Sequence, residues 1–252
     1  MKSLPIIAAV LVLLALLVVL ARRHRTAGGT AASSEQTPGK VTMMDPSQIL
    51  FSLPTICDRM APLETPTSRP TDNDLLFHED DWRQIEFAPL VDSDYIASKL
   101  AELRQFKVDH RSGPGWTKTF IRPDHPSDFG AVSLKYSDLR RAVSVNPSRF
   151  FIFQSWSAPV DSAGQVPNGF AFRVAPHFSI YGFQHDDVVR ALGVQIDSFK
   201  NDQFDLDRIS ATLGRIAKLG RLNIVDWYQC RTVALESASE VRDWLTPYCK
   251  AR

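Results

Sequence analysis

Apolar residues recur at two different periods along this chain, and the switches between them mark its elements. Ile85 and Phe87 alternate with Gln84 and Glu86, which predicts a short strand ended by Pro89. Ile96, Leu100, Leu103 and Phe106 then fall at helical spacing, with Lys99, Glu102, Arg104 and Lys107 turned to water, and predict a helix over 93–108. Gly113-Pro114-Gly115 predicts a turn, Trp116 to Ile121 a strand, and Ser137 to Val143 a short helix with Asp138 favourable in its first turn.

The densest apolar block runs from Phe150 to Phe183. Phe170, Phe172 and Val174 alternate with Ala171 and Arg173, and Ala175-Pro176 turns the chain into a second strand through Phe178 and Ile180. Aromatic strands of this kind fill cores, although the same rings could wall a ligand pocket. Beyond them, a brief helix is expected over 186–192, with Asp186 as its N-cap and Gly193 closing it. A longer helix is expected over 206–219, where Leu206, Ile209, Leu213 and Ile216 form one stripe and Gly220 closes it. A strand over 222–228 and a terminal helix over 237–248, burying Val241, Trp244 and Leu245, complete the series. Helices and strands are interspersed without βαβ spacing, so the expected class is α+β, with a mostly antiparallel sheet covered by helices.

The amino terminus follows neither period. Leu4 to Ala21 is uncharged and almost wholly Leu, Val, Ile and Ala, and it stops at Arg22-Arg23-His24-Arg25. A helix needs roughly 20 apolar residues to cross the hydrocarbon core, and this run just meets that length. Pro5 sits in the first turn, where no backbone N–H is required. The alternative is a secretory signal peptide with Lys2 as its basic start and Thr30-Ala31-Ala32 as its cleavage site. Three arginines between the apolar run and that site favour an uncleaved single-pass anchor. Their excess over Lys2 places the body on the cytoplasmic side, by a margin too small to exclude the exported side.

The expected organisation is an anchor over 1–25, a linker over 26–73 and a globular domain over 74–252. The linker is Ala/Gly/Ser-rich at first and then carries Pro46, Pro54, Pro62, Pro66 and Pro70. Composition is that of an ordinary globular protein, with 44% hydrophobic and 23% charged residues, and supports one core for the body. The formal net charge of +1 misleads. The first 40 residues hold Lys2, Arg22, Arg23, Arg25 and Lys40 against Glu35 alone, which leaves 24 basic and 27 acidic residues, or −3, in the remainder. A mildly acidic body argues against nucleic acid as partner. Cys57, Cys230 and Cys249 form no C-x-x-C pair; Cys230 and Cys249 can pair only in an exported domain, and buried thiols are the commoner outcome.

Two clusters carry ligand-type chemistry. His78-Glu79-Asp80-Asp81 offers an imidazole and three carboxylates, but neighbouring residues on a strand point to opposite sides, so they cannot all reach one ion. His185-Asp186-Asp187 follows an aromatic strand. Were the two clusters to meet, with His177 alongside, a divalent-metal site of His78, Asp81, His177, His185 and Asp186 would form. The local signatures of serine hydrolases, P-loops, dinucleotide folds, zincins and EF-hands are all missing. The expectation is therefore a membrane-anchored protein-interaction domain: a scaffold, an assembly factor or an inhibitor, with no cofactor. A tethered metal-dependent hydrolase, and a small-molecule or lipid-binding domain, are the alternatives.

Overall fold

A six-stranded antiparallel sheet organises the fold, and most of its strands are buried on both faces. In the computed structural model, residues 50–127, 129–154, 162–197 and 205–249 are described. All of them belong to one compact unit. The expected anchor over 1–25 and the first part of the expected linker lie outside the described residues. Among the described residues, no helix is long and apolar enough to cross a membrane.

The strands are β1 (Thr55–Cys57), β2 (Leu75–His78), β3 (Ile85–Pro89), β4 (Arg111–Ser112), β5 (Gly115–Trp116), β6 (Phe120–Arg122), β7 (Phe150–Phe153), β8 (Gly164–Gln165), β9 (Gly169–Ala175), β10 (Phe178–His185), β11 (Val188–Ile196), β12 (Leu222–Asp226) and β13 (Arg231–Ala234). The helices are α1 (Ser93–Asp109), α2 (Tyr136–Val143), α3 (Leu206–Ala217) and α4 (Ala238–Cys249). The large sheet has the order β13-β12-β3-β11-β10-β9. A smaller sheet, β2-β7-β8, and the parallel pair β1-β6 stand beside it. Among the described residues the class is thus α+β, with a mostly antiparallel sheet and four α-helices.

Alternation along the strands sorts side chains into two cores. Phe170, Phe172, Phe178, Ile180 and Val194 face α2, α3 and α4, where Leu139, Ile209, Leu213 and Trp244 meet them. Ala171, Tyr181 and Ala191 face the small sheet, packing on Phe77, Phe150 and Ile152. On that same side α1 lays Ile96, Leu100 and Leu103 over Ala88 and Val225. Both faces are therefore covered, one by helices and the other by α1 with the small sheet. The aromatic rings of β9 and β10 fill these cores.

Three segments differ from the sequence pattern, each for a local reason. The helix expected over 186–192 is a hairpin turn and strand: Asp186 and Asp187 have φ of 52° and 62°, the pair of left-handed residues that a type I′ turn requires. Gly193 is no helix cap but the partner of Tyr181 across β10 and β11, where an added Cβ would lie 2.5 Å from the ring. The Trp116–Ile121 strand is split into β5 and β6, which pair with different partners. Finally, residues 50–73, expected as linker, lie against the body through β1, the Phe51–Trp116 bridge and the Glu64–Gln165 bridge.

Candidate functional site

The parallel pair β1-β6 separates two environments by strand alternation alone. Thr55, Cys57 and Arg122 point inward, while the cross-strand partners Ile56 and Ile121 point outward. Outward lies a hollow of about 710 Å³, lined by Phe51, Leu53, Ile56, Ile121 and the Thr117–Thr119 segment, with Lys118 and Asp80 on its rim. Ile121 is 61% exposed and Phe51 45%. The neighbouring Leu50 is exposed as well, so several large apolar side chains face solvent in and beside the hollow.

Inward lies a buried network of charges. Arg83, at φ 54°, stands in a left-handed conformation that costs a non-glycine residue about 1 kcal/mol or more. Its position is fixed from three sides. Its N–H donates to the Tyr181 hydroxyl at 2.8 Å, and its carbonyl accepts from Arg122 Nη2 at 2.8 Å. Its guanidinium donates to Glu86 Oε2 at 2.5 Å, pairs with Asp124, and sits 3.0 Å from His125 Nε2. Glu86, only 2% exposed, uses both oxygens: Oε1 accepts from Trp227 Nε1 at 2.6 Å, and Oε2 faces Arg83 and His125.

The protonation of this network follows from its geometry. Burial disfavours the Glu86 carboxylate, but Arg83 and His125 outweigh it and hold the carboxyl well below its ordinary range. Burial likewise opposes a charged His125, and the Glu86 carboxylate overrides that opposition and raises the imidazole. Arg83 is raised because Glu86, Cys57 and Asp124 more than offset its burial. The Cys57 thiol is pushed up by burial, which Arg83 only partly offsets, so it is a poor nucleophile.

These ties make the network a support for the hollow. Arg122 Nη1 donates to Thr55 Oγ1 at 3.2 Å, Thr55 Oγ1 donates to the Phe120 carbonyl at 2.8 Å, and Gln84 Nε2 donates to the Thr55 carbonyl at 2.7 Å. Each bond holds the inner side of the two strands whose outer side chains are Ile56 and Ile121. Comparison with known protein families, curated proteins and solved structures found no match to this chain.

The histidine and carboxylate clusters singled out from the sequence lie apart. His78 ends β2, where its Nδ1 accepts from the Asp80 N–H at 3.2 Å and its ring meets Phe153 edge-on. Asp81 closes the short 3-10 turn Glu79–Asp81, its carboxyl raised by burial. His177 occupies the β9-β10 turn, 3.4 Å from Asp197, whereas His185 and Asp186 start the β10-β11 turn, 3.2 Å from one another. The whole length of β10, about 25 Å for an extended strand, separates His177 from His185. The structure thus pairs His78 with Asp80 and His185 with Asp186, and does not bring His177 and His185 to one ion.

Among the described residues, the one group of three ligand-type side chains is Cys57, Asp58 and Asp124, whose ligand atoms lie within 4.8 Å of one another. Asp124 already faces Arg59 at 3.2 Å and Arg83, so guanidiniums hold the position a cation would take. The sequence pattern misses the network because Glu86 reads, with Gln84, as the polar face of a half-exposed strand, and Arg83 lies outside that strand. The only trace of it is a charge opposite in sign at a spacing of three.

Proposed function

We propose that this chain is a membrane-held binding domain whose contact surface for another protein is the hollow between Phe51 and Ile121. The observation that carries the proposal is the outward pair Ile56 and Ile121, solvent-facing on strands whose inner side is tied down by buried hydrogen bonds. A rigid apolar floor with a polar rim suits an apolar segment of a partner, because little ordering cost remains at association. The apolar run Leu4–Ala21 supports the membrane half of the proposal. The spread of the histidine and carboxylate clusters withdraws support from a hydrolase.

A photo-crosslinking residue replacing Lys118 in the full chain, in native membranes, tests the contact. The expected result is one discrete adduct that disappears on Ile121→Asp and is absent when the probe replaces Asp186. No adduct at position 118, or the same adducts at both positions, would overturn the proposal.

A further inference from the structure

Among the described residues, all but one of the exposed large apolar side chains lie at one end of the domain. Val108, 74% exposed, is in the last turn of α1, Tyr228 lies in the β12-β13 turn, and Leu50, Phe51 and Ile121 stand in and beside the hollow. Only Val91, just before α1, lies elsewhere. Contacts join the first five into one surface. Lys107 Nζ donates to the Tyr228 carbonyl at 2.8 Å and lies 5.6 Å from the centre of its ring. The Thr117 N–H donates to the His110 carbonyl at 2.9 Å, and Trp116 pairs with Phe51 through backbone bonds of 2.8 and 3.0 Å. The surface thus runs from the β12-β13 turn, over the end of α1 and the β4-β5 hairpin, to the rim of the hollow.

Charge sets this end apart from the rest of the body. Beyond residue 40 the chain has 24 basic and 27 acidic residues, but between 104 and 121 Arg104, Lys107, Arg111 and Lys118 stand against Asp109 alone. The β12-β13 turn adds Arg231 and a single acid, Asp226, which is fully buried. Arg104, Lys107 and Val108 share one side of α1 by their spacing, and the Arg111 guanidinium lies 4.4 Å from the centre of the Trp116 ring. Basic side chains interleaved with an exposed valine and tyrosine suit an anionic bilayer surface, where apolar groups enter the acyl boundary and cations meet phosphates. The path of the chain supports the same occupant. Leu50, beside the hollow, is joined to the apolar run ending at Ala21 by 28 residues, whose fully extended reach is at most about 100 Å.

We propose that this end of the domain docks on the anionic phospholipid headgroups of the bilayer that holds the chain, with Val108 and Tyr228 at the acyl boundary and Arg104, Lys107, Arg111 and Lys118 facing phosphates. The inference rests on the membrane-held reading. It leaves the hollow at the edge of the docked surface, beside the bilayer. The β10-β11 turn is then the end that faces away: β11 and β12 both run antiparallel to β3, so the end of β12 lies beside the end of β11 and far from its start at Val188.

The full chain, reconstituted in phosphatidylcholine vesicles with or without phosphatidylserine, tests the docking through a fluorescent amino acid placed at position 108 or at position 186. Brominated lipid should quench the probe at 108 at least about twofold more than the probe at 186 when phosphatidylserine is present. That difference should shrink without phosphatidylserine or at about 1 M salt, where headgroup charge is screened. Arg111→Gln combined with Lys118→Gln should remove at least half of it, while Arg141→Gln, on an exposed arginine of α2, should leave it unchanged. Equal quenching at 108 and 186 in a chain that resists alkaline carbonate would overturn the docking alone and leave the surface to a protein. A difference indifferent to phosphatidylserine and salt would overturn the recognition of anionic lipid, and one that changes with the protein-to-lipid ratio would assign the surface to a second copy. Release of the chain by alkaline carbonate would instead overturn the membrane-held reading, and the docking with it.

Discussion

Asp187, in the β10-β11 turn, caps the helix α2 through a residue 50 positions earlier: its carboxylate accepts from the Ser137 N–H at 2.9 Å and from the Ser137 hydroxyl at 2.8 Å. Its carbonyl also accepts from the Tyr136 N–H at 2.8 Å. The first turn of α2 thus receives both a capping acceptor and a negative charge from a strand hairpin. Asp187→Ala should cost about 1 kcal/mol, while Asp187→Asn, which keeps an acceptor and tolerates the left-handed conformation, should cost less. Urea unfolding read by circular dichroism checks both; equal losses would mean that the turn, not the cap, carries the effect.

The Arg83-Glu86 pair is the larger stake. Removing one partner of a buried, hydrogen-bonded ion pair leaves an uncompensated charge, typically at a cost of 3–5 kcal/mol, roughly. Glu86→Gln should therefore destabilise strongly, because Arg83 Nε and His125 both lose their carboxylate while Trp227 Nε1 keeps an acceptor. Arg83→Met should also be harmful, since the buried Glu86 carboxylate would lose its closest counter-charge and keep only His125 and the Trp227 Nε1 donor. Chemical denaturation measures the two losses, and a loss near zero for both would show that the pair is not intact in solution.

The same network sets the pH dependence of stability. Glu86 is held below its ordinary value of 4.5, so its contribution is present above that value and is lost as pH falls through the folded-state value. Asp74 acts in the same direction: burial opposes its charge, but its bonds to Arg149 and Thr71 lower it. His125 has the opposite sign. Its raised value means a contribution fully present below its ordinary 6.5 and lost as pH rises through the folded-state value. Unfolding free energy should therefore fall on the acid side below about 4.5 and decline again above about 6.5. His125→Gln should flatten the second decline and leave the first, which a pH series of urea midpoints would show.

How far the pattern of residues foretold this molecule depends on which force decides each segment. Long stripes were legible: α1, α3 and α4 fall close to where Ile96-Leu100-Leu103, Ile209-Leu213-Ile216 and Val241-Trp244-Leu245 predicted them. Helical period and sheet contact there select the same residues. The 186–192 segment was misread because its two features have double meanings. Asp caps helices but also tolerates the left-handed turn, and Gly closes helices but also yields room to a ring on the next strand. Glu86 shows the deeper limit. Alternation separates the two faces of β3 correctly, but only the packing of α1 and the short strands over the polar face makes that face buried. The hollow was illegible for a related reason, since Ile121 is far in sequence from Phe51 and Ile56 and meets them through a parallel pairing that no local pattern encodes.

Tyr181 links the glycine of one strand to the strained turn of another, and this link can be measured. An added Cβ at residue 193 would lie 2.5 Å from Tyr181 Cζ and 2.7 Å from its hydroxyl oxygen, so the ring must shift to admit it. That hydroxyl accepts from the Arg83 N–H at 2.8 Å, which helps hold the left-handed backbone there. Gly193→Ala should cost about 1–3 kcal/mol, the range for overpacking a filled interior. Tyr181→Phe alone should cost about 1 kcal/mol or more by leaving a buried N–H unpaired. If the alanine acts by displacing this hydroxyl, the two losses overlap, and the double variant should fall short of their sum by about 0.5 kcal/mol or more. Strict additivity in equilibrium unfolding would mean that the strain from position 193 is absorbed by the ring's other neighbours, Phe77, Trp82 and Phe150, without reaching Arg83.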